Sequence, residues 1–243
     1  MTSVHYHEGR FPPANLDLPR LLPLVGPANA ELARYDGILS AIPNAQVLLA
    51  PLTTQEAVLS SRIEGTQVML GEVLEYEAGE ETASEEKKVD IHEVLNYRTA
   101  LRQAVAQMDS LPLSQRLIRD AHGILMQGVR GRNKAPGDYR RVPNWIGPDG
   151  TTMDAARFVP ISPERVPDAM SVWENYLHSD APDRLIQLAI LHAEFEAIHP
   201  FLDGNGRLGR LLVPLYLVDK KLLSGPNFYI SAYFEAHRDE YYD

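Results

Sequence analysis

One stretch constrains this chain more than any other: His199-Pro200-Phe201-Leu202-Asp203-Gly204-Asn205-Gly206-Arg207-Leu208-Gly209-Arg210. The run before it places Leu185, Leu188, Ala189, His192 and Phe195 on one face of a helix. His199 follows four residues after Phe195 and projects from that inward face, and Pro200 ends the helix. The glycines allow a sharp turn with backbone N–H groups crowded together. A second helix opens near Gly206, and Leu211 to Val218 is its dense apolar continuation. Any fold must therefore hold a helix–loop–helix with a polar, N–H-rich turn at its centre.

The residue types in that turn suit phosphate chemistry. The first N–H groups of a helix and its dipole form an anion site without any special side chain. Successive N–H groups in Gly204, Asn205 and Gly206 would cradle phosphate oxygens. Arg207 and Arg210, three apart, share one side of the helix and offer charge-assisted contacts. Asp203 is a hard oxygen ligand of the kind that holds Mg²⁺ together with phosphates and water. His199, with an ordinary pKa of about 6.5, can take a proton from a hydroxyl. Taken singly, each residue fits an ordinary surface turn; side by side they point to one site.

The stretch resembles the signature of Fic-domain enzymes, H-x-F-x-[D/E]-G-N-G-R-x-x-R, and matches it without a gap. The resemblance implies His199 as general base, Asp203 as the Mg²⁺ ligand, and an ATP site made by Glu64, His199, Gly204, Asn205, Gly206, Arg207, Leu208, Gly209 and Arg210. Both loop glycines are present, whereas the kinase-like Doc branch departs there, so adenylyl transfer is favoured over phosphoryl transfer. The implied reaction moves AMP from ATP to a Tyr, Ser or Thr hydroxyl of a target protein, or of the chain itself, and releases pyrophosphate. Removal of AMP from a modified protein by hydrolysis, and non-catalytic nucleotide binding, are the competing functions.

Upstream, Ser60-x-x-x-Glu64-Gly65 looks like the inhibitory motif of the branch whose inhibitory helix is N-terminal. Gly65 is a natural residue to follow a helix end. A glutamate in the last turn opposes the helix dipole, which is a small reason to expect a partner cation. The resemblance implies that Glu64 pairs with Arg210, taking the arginine meant for the γ-phosphate and misaligning the α-phosphate. After the signature, Tyr229 to Glu235 resembles a segment of the same branch, which implies that a later tyrosine, Tyr242, flanks the adenine.

The remaining chain reads as helices. Residues 1 to about 26 are Pro-rich and irregular; helices are expected from about Pro27 to Ile42, from Thr53–Thr54 to Gly65, from Val89 to Met108, from Ser114 through Leu125, from Ser162, and from Ile230 to Asp243. His122 is expected to pack in the core. Gly79 to Lys88, with Glu80 and Glu81, reads as an exposed loop. Between Gly128 and Pro160 the helical rhythm breaks, and the turn Pro148-Asp149-Gly150 between aromatic and β-branched residues suggests a hairpin. In Fic proteins a hairpin here, the flap, lies over the active site and pairs with the target's backbone. The fold class is thus all-α: a Fic fold, a helical bundle with a small β-hairpin flap. Residues 1–110 form its N-terminal helical region with the inhibitory motif and 111–243 its core with the flap and catalytic loop. The formal charge of −10 argues against a nucleic-acid partner. With no cysteine there is no disulfide or thiolate metal site. No signal-like start or membrane span is read, so a cytoplasmic protein is expected. Dimerisation is common among relatives, but no stretch of this sequence marks a homodimer interface.

Overall fold

A computed structural model of the chain describes residues 3–80, 84–128, 133–148 and 150–242. Of the sequence expectations, Glu81, Asp149 and Asp243 lie outside the described residues. The architecture is helical: β1 (Val4–His5), α1 (Leu18–Ser40), α2 (Ala45–Ile63), α3 (Leu70–Glu77), α4 (Glu85–Met108), α5 (Gln115–Leu125), β2 (Phe158–Val159), α6 (Val166–His178), α7 (Arg184–Ile198), α8 (Asn205–Asp219), α9 (Ser231–Ala236) and α10 (Arg238–Tyr242).

The dense apolar run becomes the hub. Leu211 to Leu217 are all buried in α8, which packs against α7, α4, α2 and α5. A helix apolar all round has no solvent face to offer, so the other helices must surround it. One hydrophobic cluster runs from Leu32 to Leu223 and contains most of these faces. Two polar side chains inside it show the pairing that burial favours. Trp173 Nε1 donates to Leu191 O at 2.8 Å, and Tyr216 Oη donates to Gln187 Oε1 at 2.6 Å. Asp183 caps α7, accepting from the N–H groups of Leu185 and Ile186 at 2.8 and 3.0 Å.

Several boundaries differ from the sequence reading: α3 lies where that reading has no helix, and α4 starts at Glu85 rather than Val89, taking in the end of the stretch read as an exposed loop. The first helix starts at Leu18, capped by Asp17, and runs through Pro23 and Pro27. The second starts at Ala45 and contains Pro51, so Thr53 is interior rather than a cap. Thr53 Oγ1 turns back to Leu49 O at 3.3 Å and meets Tyr229 Oη at 2.7 Å. Pro23, Pro27 and Pro51 all stand on exposed stretches, and both helices run on through them despite the missing N–H groups. The C-terminal helix divides at His237, whose φ of −122° and ψ of 40° leave the helical region.

The flap forms only a minimal hairpin. Ile146 and Phe158 make one antiparallel bridge, with N···O distances of 2.9 and 3.1 Å. The other edge of β2 is taken by β1, which pairs in parallel, Val4 with Phe158 and His5 with Val159. The N-terminal arm is therefore not irregular throughout. Beyond the strand, Tyr6 Oη and His7 Nε2 reach the buried Glu194 of α7 at 2.5 and 2.8 Å. The arm thus ties the flap to the helix that ends at His199.

Candidate active site

Two helix ends meet at the site. The first is the C-terminus of α2. Gly65, at φ +98°, lets the chain reverse. Its N–H bonds Arg62 O at 2.9 Å, and Thr66 N–H bonds Ser61 O at 3.1 Å, the paired bonds of a Schellman motif. This closure fixes Glu64 at the cap position. The second is the N-terminus of α8. Gly204, at φ +76°, is its cap, and a Cβ there would stand 2.7 Å from Met126 Sδ. Asn205, Gly206 and Arg207 supply the first N–H groups of the helix, which have no acceptor within it.

Arg210 joins the two ends. It is fully buried. Its Nε donates to Ser60 Oγ at 2.9 Å, and its Nη2 donates to Ser60 O at 2.9 Å and to Glu64 Oε1 at 2.7 Å. Its Nη1 is buried without a hydrogen-bond partner among the described residues. Burial alone would push the Glu64 carboxyl up; Arg210 overrides it and holds it below the usual carboxylate range. Burial likewise works against the Arg210 charge, and Glu64 more than restores it. Gly206 lies directly against this pair: a Cβ there would stand 2.2 Å from Glu64 Oε1 and 3.0 Å from Arg210 Nη1.

His199 caps α7 in the left-handed region, φ 50° and ψ 60°. A non-glycine residue held there reports constraint by its surroundings. Its Nδ1 lies 3.3 Å from Glu196 O. A carbonyl only accepts, so Nδ1 carries the proton and Nε2 keeps its lone pair. Burial pulls the imidazole down to about 4, so it is neutral at pH 7.

Two residues missing from the sequence reading of the site hold this geometry. Arg140 is buried, and its Nε donates to His199 O at 2.8 Å while its N–H bonds Pro200 O at 2.9 Å. It also reaches the carbonyls of Ile161 and Ile198, so a cation closes the C-terminus of α7. Burial lowers its pKa to about 10, which leaves it charged. His122 Nε2 donates to Asp203 O at 3.0 Å, and its Nδ1 accepts from Gly137 N–H at 2.9 Å. The ring stacks on Phe201 at 3.8 Å. His122 packs in the core as expected, and in that position it also pins the loop. The only signal for Arg140 was a charge next to buried-type aromatics in Gly137-Asp138-Tyr139-Arg140.

The remaining expected residues fall into two groups. Asp203, whose side chain is 43% exposed, sits 3.5 Å from Arg207 Nη2, and its Oδ1 accepts from Gly204 N–H at 2.6 Å. Asn205 turns its amide back onto Phe201, Oδ1 to N at 2.8 Å and Nδ2 to O at 2.9 Å, so it shapes the loop and leaves only its N–H for a ligand. Leu208 and Gly209 are the second group. Leu208 is a core residue whose N–H bonds Gly204 O at 3.0 Å. Gly209 faces Glu196, and its carbonyl lies 3.1 Å from His192 Nδ1. The helical period turns both away from the face that carries Arg207 and Arg210.

A cavity of about 2050 Å³ opens over these groups, lined by Glu64, His199, Asp203, Gly206 and Arg210, by Ile146 to Pro148 of the flap, and by aromatic residues of α9 and α10. Tyr242 is among them, 39% exposed, with the guanidinium groups of Arg157 and Arg238 each 5.9 Å from its ring. Tyr241 lies deeper, stacked on Phe234 at 4.0 Å with its hydroxyl 3.1 Å from His192 Nε2. Among the described residues no three His, Cys, Asp or Glu side chains gather as a metal cluster, and no helix is long and apolar enough to cross a membrane.

Comparison with known proteins gives a consistent pattern. The Fic/DOC family N-terminal model matches residues 22–106 and the Fic/DOC family model matches residues 112–217. A "probable protein adenylyltransferase" of Aquifex aeolicus is 40% identical over 86 residues, covering 33% of this chain and 27% of that protein. The protein adenylyltransferase fic-1 of Caenorhabditis elegans is 35% identical over 71 residues, 28% of this chain and 14% of that protein. The matched segment is thus about a quarter or less of these curated relatives. Among solved structures, a Fic family protein from Desulfovibrio desulfuricans superimposes with a TM-score of 0.76 at 25% identity, covering 95% of this chain and 66% of that one. A Fic domain-containing signaling protein from Bacteroides thetaiotaomicron shares the fold, with a TM-score of 0.70 at 22% identity over 88% of this chain and 80% of that one.

Proposed function

This chain belongs to the Fic/DOC family, and from that premise we propose that it is a protein adenylyltransferase, restrained by Glu64, that moves AMP from ATP to a protein hydroxyl. The observation that carries the reading is the buried, unpartnered Nη1 of Arg210 beside the open N-terminus of α8. A buried donor without an acceptor costs roughly 1–3 kcal/mol, and it is tolerated where a ligand supplies the acceptor. Arg207 carries a second such donor, its Nε. Two guanidinium groups with spare N–H groups at a helix N-terminus favour a polyphosphate.

The first N–H groups of α8 hold the α-phosphate. Arg207 and Arg210 hold the phosphates beyond it. Neutral His199 takes the proton of the target hydroxyl on Nε2. The hydroxyl oxygen then bonds to the α-phosphorus, the bond from that phosphorus to the bridging oxygen breaks, and pyrophosphate leaves. Positioning supplies most of such catalysis. Asp203 fits Mg²⁺ as one half-exposed hard carboxylate that leaves the other oxygens to phosphate and water. When bound, the metal neutralises phosphate charge. Aromatic residues of α9 and α10, Tyr242 among them, offer a wall for the base. The limb from Trp145 to Pro148 borders the cavity and presents main chain to an extended target segment.

Restraint rests on the 2.7 Å ion pair. Glu64 occupies Arg210 and projects over Gly206, where a phosphate oxygen has to sit. The testing experiment is label transfer from α-³²P-ATP with Mg²⁺, self-labelling included, for wild type, Glu64→Gly and Glu64→Gly/His199→Ala. Labelling in Glu64→Gly at least tenfold above wild type is expected. Equal labelling of wild type and Glu64→Gly removes the restraint, and no labelling in any variant removes the transferase reading.

A further inference from the structure

We propose that Glu93 is a positioning residue for Arg207: its carboxylate, fixed by Thr66, holds the guanidinium off Asp203. Its consequence for ligands rests on the nucleotide site proposed above; its geometry does not. The Arg207 side chain is 7% exposed and lies between two carboxylates. Asp203 Oδ1 is 3.5 Å from Nη2, and Glu93 Oε2 is 3.8 Å from Nη1. A charge-assisted N–H···O contact closes to about 2.7–2.9 Å when nothing opposes it. Neither does so here, so the cation is shared rather than captured.

Thr66 explains why Glu93 stays where it is. Its Oγ1 donates to Glu93 Oε2 at 2.8 Å, the same oxygen that faces Arg207. Thr66 itself is fixed by the Schellman closure of α2, through its N–H to Ser61 O. The segment that presents Glu64 to Arg210 therefore also governs Arg207, by way of Thr66 and Glu93. One helix end grips both arginines. With the Glu93 charge removed, Asp203 is the remaining carboxylate drawn toward Arg207 among those at these distances. It then closes on the guanidinium and loses the half-exposed position from which it would serve a metal.

The test uses the whole chain. In the ligand-free protein, the ¹H–¹⁵N resonance of Arg207 Nε, assigned through Arg207→Lys, is compared in wild type, Glu93→Gln, Thr66→Val and the double variant. Glu93→Gln keeps shape and removes only charge. Glu93→Gln is expected to shift the resonance, Thr66→Val to shift it less, and the double variant to match Glu93→Gln, because Thr66 acts through Glu93. No shift in Glu93→Gln, or additive shifts, overturns the proposal. In the Glu64→Gly background, calorimetry gives the ratio of ATP affinities with and without Mg²⁺. Glu93→Gln should reduce that ratio about tenfold, within the range of contacting pairs, and Glu93→Asp should restore part of it. An unchanged ratio with ATP still bound overturns it. Absence of ATP binding by the Glu64→Gly parent strikes the nucleotide site instead, and the resonance shifts then decide the role of Glu93 by themselves.

Discussion

The C-terminus of α2 and the N-terminus of α8 are two helix ends with opposite electrostatics, and each is loaded against its own dipole. The start of α8 carries partial positive charge and adds Arg207 and Arg210. The end of α2 carries partial negative charge and adds Glu64. Alone, each arrangement is locally unfavourable. Facing one another they cancel, through Arg210 and Glu64 at 2.7 Å. The difference lies in what else can satisfy each end. In the proposed site polyphosphate would replace Glu64 at α8, whereas Glu64 already has a third of its side chain at the surface, where water can receive it. A contact with that asymmetry can restrain a site and still yield to a ligand.

The largest effect belongs to His199, which sits on neither side of the ion pair. In the Glu64→Gly background, His199→Ala should lower kcat by about 10³-fold, within the range of general-base losses, while ATP affinity stays within twofold by calorimetry. Loss of both together would mean that His199 holds the ligand rather than the proton. Next is Gly206, where the two ends compete for one volume. Gly206→Ala in the same background should weaken ATP binding about tenfold, as overpacking of roughly 1–3 kcal/mol would. Unchanged affinity would place the phosphates elsewhere.

A smaller effect concerns pH. An ordinary histidine loses its base function as pH falls through about 6.5. Burial sets His199 at about 4, so kcat/KM of Glu64→Gly should hold from pH 7 down to about 5 and fall as pH drops through 4. Removing Glu64 takes away a neighbour that raises the imidazole, so the limb should not move upward. An acid limb near 6.5 would contradict the buried, neutral base. The smallest effect is at Gly65. A Cβ there meets nothing within 4 Å, so Gly65→Ala tests backbone conformation alone. At φ +98° the cost should be about 1 kcal/mol, read as a fall in Tm of about 2–4 °C with a modest rise in labelling as Glu64 loosens.

Legibility in the sequence followed the range of the interactions. The cap of α7 by Asp183, the reversal at Gly65 and the apolar run of α8 depend on near neighbours, and all could be read directly. Leu208 and Gly209 are a mixed case. They belong to the signature stretch, yet a step of one or two residues from Arg207 turns them into the packed side of α8. Arg140, His122 and Glu93 were out of reach for a different reason. Arg140 is 59 residues from His199, and His122 is 81 from Asp203. Their partners are mostly backbone carbonyls, which every residue possesses, so no spacing rule selects them. The parallel pairing of β1 with β2 failed similarly, because a distant strand supplied the partner, and the start of α2 was missed because its helix runs on through Pro51.

By itself, the sequence determined a helical chain with an N–H-rich turn, a histidine at a helix end, two arginines on one helical face and a glutamate set against a helix dipole. These are local quantities, set by period, caps and charge order. The resemblance implies that Glu64 pairs with Arg210, and the tertiary structure places the pair at 2.7 Å; packing alone decided that Arg140 and His122 fix His199 and Asp203, and that Nη1 of Arg210 lies beside Gly206 without a partner among the described residues. Those facts depend on which surfaces bury each other, and burial decides whether a charge is held by water or by another side chain.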